Sequence, residues 1–120
     1  MDDSNLQALI QNFIEASLKL EEASLSGDVI KINYEGKQIK AITGEIRCLG
    51  KEAMELMISL LNHQNNYVKC YAACCIIPVY PEKAREALNE IAQLKGLKDG
   101  LIGFNAKMTL REWDSGNLSF

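Results

Sequence analysis

Cys70 and Cys74 stand one helical turn apart, and together with Cys48 or His63 they could offer a soft-metal site. No second close-spaced ligand pair accompanies them, and none of the four cysteines forms a C-x-x-C, so neither a metal nor a cofactor is expected. The plainer reading makes Cys75 a small apolar filler on a buried stripe and leaves Cys70 and Cys74 as idle thiols. All four stay free in a reducing compartment. His63 is the sole histidine, so a hydrolase of the Ser/His/Asp or Cys/His kind would need it as its base. It follows Leu61-Asn62 near a helix end, where an imidazole more often caps carbonyls or faces water, and no motif nucleophile stands beside it. No catalytic residue is expected, and the chain is not read as an enzyme.

The paired carboxylates Glu21-Glu22, Glu52-Glu55 and Glu86-Glu90 have the spacing of solvated helix faces. Gly96, Gly100 and Gly103 have no P-loop lysine and no preceding strand, so they read as turn residues rather than a phosphate cradle. Trp113 follows Leu110 by three and Ala106 by seven, which assigns it to a buried stripe in preference to an aromatic patch with Phe104. Glu35 is different, because it interrupts a seam of Ile32, Ile39 and Ile42. A buried carboxylate there is costly, so it lies at an exposed end, pairs with a lysine or faces a groove.

The elements that must position these groups are helices. Val68-x-x-x-Ala72-Ala73-x-x-Ile76 returns 34 residues later as Ile102-x-x-x-Ala106-Lys107-x-x-Leu110, and Ala53, Leu56, Met57 and Leu60 recur after 31 as Ala84, Ala87, Leu88 and Ile91. Such self-similarity predicts tandem helical hairpins whose units bury their apolar faces by stacking. Ahead of them, Ser4 reads as a cap for a helix carrying Leu6, Leu9, Ile10, Phe13, Ser17 and Leu20, ending near residues 24–27. Asp28 could cap a second helix with the seam Ile32, Ile39, Ile42, Ile46 and Leu49. Residues 29–42 also alternate like a hairpin turning at Glu35-Gly36, but the helix is preferred. Helix three carries Ala53, Leu56, Met57, Leu60 and Leu61, and the polar run 62–66 turns the chain. Helix four carries Val68, Tyr71, Ala72, Cys75 and Ile76 and stops before Pro78. Pro81 and Glu82 open helix five, with Ala84, Ala87, Leu88 and Ile91 inward. After a loop over 95–100, Phe104, Ala106, Leu110 and Trp113 define helix six, closed by Gly116. The prediction is an all-α chain of about six helices in one domain, residues 1–120.

Bulk properties narrow the function classes. With 48% hydrophobic and 24% charged residues, the composition is that of a globular protein able to bury a core. The start, Met1-Asp2-Asp3-Ser4, is unlike a secretory leader, and the apolar run Tyr71–Tyr80 is broken by Pro78, so a cytoplasmic protein without membrane contact is expected. Net charge is −3, and residues 1–60 hold ten acids against six bases while 61–120 hold six against seven. An acidic first half repels phosphate backbones, so nucleic acid is not an expected partner.

Gly27-Asp28, Asn33, Glu45 and Gly50, then Leu60-Leu61, Val68 and Ala72-Ala73, then Pro81-Glu82, Ala84 and Leu88, and finally Gly103-Phe104-Asn105-Ala106, Thr109-Leu110-Arg111-Glu112-Trp113 and Gly116, form a pattern across most of the chain. In this pattern the chain resembles the small bacterial proteins grouped as domain of unknown function two thousand and nineteen. Gly36 and Gly44 depart from it, standing where larger residues are usual. The resemblance implies a right-handed HEAT- or armadillo-like helical repeat stack and no catalysis. It also implies an immunity protein, including those of contact-dependent growth inhibition systems, which neutralises a cognate toxin by binding it. On that reading the acidic first half faces a basic toxin domain, with Glu21, Glu22, Asp28, Glu35 and Glu45 contributing charge and Tyr34 an aromatic anchor. The alternative is a general adaptor that takes a helix or peptide on the surface of helices four and six, where Lys69, Asn105, Lys107 and Arg111 would matter.

Overall fold

In the computed structural model residues 3–118 are described; Met1 and Asp2 of the acidic start and Ser119 and Phe120 of the tail lie outside them. The described residues form six α-helices and no strand: α1 (Asp3–Ser26), α2 (Val29–Leu49), α3 (Lys51–Ser59), α4 (Asn66–Ile76), α5 (Pro81–Ala92) and α6 (Gly96–Asp114). A single 3-10 turn, Leu60–Asn62, follows α3. The chain is all-α, as expected.

Local chemistry explains most of the boundaries. α1 already runs from Asp3, so Ser4 lies inside its first turn rather than ahead of it. Gly27 ends α1 at φ +73°, a left-handed conformation that glycine adopts without penalty, and Asp28 N then donates to Ala23 O at 3.0 Å. The Asp28 carboxylate accepts from Lys31 N at 3.1 Å, and this cap resolves residues 29–42 as helix instead of hairpin. Asn65 does the same for α4, accepting from Tyr67 N at 2.9 Å and Val68 N at 3.1 Å. Pro81 opens α5 as predicted. The expected loop over 95–100 is shorter: the connection is 93–95 and α6 starts at Gly96.

α4 is the hub, touching all five other helices. Accordingly Tyr67, Val68, Cys70, Ala72, Ala73, Cys75 and Ile76 are all buried, leaving little of the helix to water. Small side chains at Cys70, Ala72, Ala73 and Cys75 let neighbours approach closely, while burial of Val68 or Ile76 each contributes about 1.5–3 kcal/mol. The sequence repeat is visible in what is covered: Val68 and Ile102, Ala72 and Ala106, Ile76 and Leu110, Ala53 and Ala84, and Met57 and Leu88 are buried pair by pair. Around the hub, α1 packs along α2 and α5 along α6.

Two predicted stripes are rotated by about one residue. On α3, Ala53, Met54 and Met57 are buried while Leu56 is exposed, because α2 and α4 cover only one side of this nine-residue helix. On α6, Ile102, Gly103, Ala106 and Leu110 face inward; Phe104 is 58% exposed, and Trp113 is half-buried against the core. Gly103 brings α6 onto the end of α5: a Cβ there would stand 2.6 Å from Leu94 O and 3.1 Å from Ile91 O. Only a residue without a side chain permits that approach. Buried Ser17 is satisfied within its own helix, donating from Oγ to Phe13 O at 2.9 Å.

Candidate interaction surface

The α1–α2 hairpin carries a continuous furrow built from two adjoining cavities. One, of about 640 Å³, is lined by Lys19, Glu22, Ala23, Ser26, Lys31, Tyr34 and Glu35. The other, of about 370 Å³, shares Lys19, Tyr34 and Glu35 and adds Glu15, Gln38, Ile42 and Glu45. Of the residues expected to bind a partner, the fold thus gathers Glu22, Tyr34, Glu35 and Glu45. Sequence reasoning missed Glu15, although its steps of four to Lys19 and seven to Glu22 mark one helix face. Four carboxylates face two ammonium groups, so the furrow is acidic.

Tyr34 is 59% exposed on the furrow's edge, with Val29 and Ile30 exposed at the N-terminus of the same helix. Glu35 resolves in favour of the groove. The residue is 9% exposed, so most of it is covered, yet it lines both cavities. The remaining two expected residues are engaged in holding the fold. Glu21 accepts from Asn65 Nδ2 at 2.9 Å, tying α1 to the start of α4, and Asp28 is the α2 cap.

Among the groups that could do covalent chemistry, Cys70 and Cys74 lie side by side on α4. His63 Nδ1 accepts from Asn65 N at 2.9 Å, so the imidazole organises the turn before α4 and caps no carbonyl. Cys48 is exposed, Cys74 is half-buried, and Cys70 and Cys75 are buried. Among the described residues no three His, Cys, Asp or Glu side chains come together as a metal site. The Cys74 sulfur and then burial push the Cys70 thiol well up, while burial raises Cys75 to about 11 despite Arg47 beside it. The Tyr67 hydroxyl is sealed with no partner at hydrogen-bonding distance, and burial raises its ionisation above the ordinary range. An ion pair joins Arg85 to Asp114 across α5 and α6, and it holds the Asp114 carboxyl low.

An arrangement of this kind can recognise a surface. Over residues 7–114 the sequence matches the family described as Domain of unknown function (DUF2019). The chain belongs to that family. This DUF2019 protein is similar in structure to the protein RPA1889 from Rhodopseudomonas palustris CGA009, known from a crystal structure, with a TM-score of 0.80. Identity is 23%, and the likeness covers 96% of the DUF2019 chain and 93% of the other, which shows a shared fold. No curated protein matches the chain. Among the described residues no helix is long and apolar enough to cross a membrane.

Proposed function

We propose that this protein is an immunity protein, neutralising a cognate basic toxin domain by binding it through the α1–α2 furrow. Its helices then act as a right-handed HEAT-like repeat stack, working in the cytoplasm by shape and charge without catalysis. One observation carries the reading: Glu15, Glu22, Glu35 and Glu45 line a furrow beside exposed Tyr34. Acidic groups around an aromatic anchor suit a cationic protein surface, with charge accelerating encounter and the anchor slowing release. The partner is a protein, and neither nucleic acid nor a membrane.

The test is genetic and then biophysical. The neighbouring open reading frame is expressed with and without this chain, and growth is followed. Rescue of growth by the wild-type chain, with binding weakened at least tenfold by Tyr34→Ala or by Glu35→Lys with Glu45→Lys, supports the proposal. A neighbouring product that is harmless, or that kills equally in both conditions, overturns it. A general adaptor is the competing reading, favoured by the exposure of Lys107 and Arg111 along α6. Several unrelated partners in a pull-down from the native host would select it over immunity.

A further inference from the structure

The other face of α2 forms a second groove of about 490 Å³ with α1, α4 and α6. Tyr71, Leu101 and Asn105 line it from α4 and α6, and Ile32, Gly36, Lys37 and Lys40 line it from α2. Among the described residues no carboxylate lines it, and neither lysine takes part in an ion pair. On a chain of net charge −3, a groove whose only charges are two free ammonium groups selects for an anion. Its apolar character comes from Leu101, 48% exposed, and half-buried Ile32, which leave hydrocarbon facing water.

Gly36 is the second clue. It sits in mid-helix, where glycine is about 1 kcal/mol worse than alanine, and a Cβ added there would meet nothing within 4 Å. Packing inside the molecule therefore does not require it. A groove wall without a side chain is what lets another backbone come close. From Ile32 to Lys40 the wall runs roughly 12 Å, enough for two turns of a docked helix.

We infer that this groove binds an acidic amphipathic helical segment of another protein, its apolar stripe on Ile32, Tyr71 and Leu101 and its carboxylates on Lys37 and Lys40. Helix-in-groove recognition of this kind reads apolar anchors at helical spacing, with charge setting orientation. The site is independent of the acidic furrow, so Tyr34→Ala leaves it unaffected.

The probe is a fluorescein-labelled peptide with leucines at i, i+3, i+4 and i+7 and glutamates elsewhere, beside its lysine-for-glutamate counterpart and a scrambled control. Fluorescence anisotropy is measured at low and half-molar salt. Expected is binding of the acidic peptide alone, weakened at least tenfold by Lys37→Glu with Lys40→Glu, by Gly36→Leu and by salt. Gly36→Leu raises helix propensity while filling the groove, so folding is retained and is checked by circular dichroism. No binding of the acidic peptide at millimolar concentration overturns the inference, as does equal binding of the basic one or indifference to both variants. Self-association in sedimentation that Gly36→Leu abolishes also overturns it, since the occupant would then be a second copy.

Discussion

Gly103 and Gly44 are both helical glycines, yet alanine should act on them in opposite directions. At Gly103 the new methyl would stand 2.6 Å from Leu94 O, 3.1 Å from Ile91 O and 3.4 Å from Leu94 C, all backbone atoms of the last turn of α5 and the connection after it. A carbon and a carbonyl oxygen settle at about 3.3–3.6 Å, so α6 must retreat by roughly 0.7 Å or the last turn of α5 must shift. A contact this short against backbone, which cannot swing aside, falls in the upper part of the overpacking range, about 2–3 kcal/mol, and the better helix propensity of alanine returns about 1. The net expectation is a loss of about 1–2 kcal/mol. For a chain of 120 residues that lowers Tm by roughly 4–8 °C. At Gly44 nothing lies within 4 Å, so alanine gains about 0.5–1 kcal/mol and raises Tm by roughly 2–4 °C. Thermal and urea unfolding of the two variants, run side by side with wild type, give the answer. A Gly103→Ala protein as stable as wild type would refute the close approach of α6 to α5, whatever Gly44→Ala does.

Asn65→Ala should cost about 1–2 kcal/mol in urea unfolding, because it removes both the α4 cap and the bond to Glu21; an unchanged midpoint would show that α4 does not depend on its cap. Stability should fall as pH rises from about 9, since Cys75 ionises near 11 when folded against 9.0 when unfolded, and in that window only the unfolded chain releases the proton. The slope is at most about 1.4 kcal/mol per pH unit from this thiol, Cys75→Val should remove it, and the raised tyrosines Tyr67 and Tyr71 should extend the loss at higher pH. A urea midpoint that stays flat from pH 8 to 10.5 in wild type would contradict the burial of Cys75.

The helical hairpins, the Asp28 cap, the Pro81 start and the inward stripe of α5 were legible because each depends on residues close in sequence. The rotation of α3 and α6 was not, since Leu56 and Phe104 obey the same periodicity as their buried neighbours and only the placement of α2, α4 and α5 decides between them. Tyr67 was missed for a related reason. It follows the polar run ending at Asn66, but α4 is covered on all sides, so even the position after its cap is inside. The furrow was half legible: its charge was evident from the acidic first half, whereas the engagement of Glu21 with Asn65 depends on a contact 44 residues away.

α2 also explains why its own reading was divided. Lys31, Tyr34, Glu35, Gln38, Ile42 and Glu45 line the acidic furrow, while Ile32, Gly36, Lys37 and Lys40 line the lysine-walled groove. A helix exposed on two faces keeps only a narrow buried strip, here Glu35, Ile39, Thr43 and Ile46. Such a strip leaves a weak helical period, and isoleucines set among lysines and glycines then mimic strand alternation. The ambiguity over 29–42 and the presence of two open grooves of opposite charge therefore have one cause. A helix devoted to packing would have been unambiguous in sequence and would have had no second face to offer a partner.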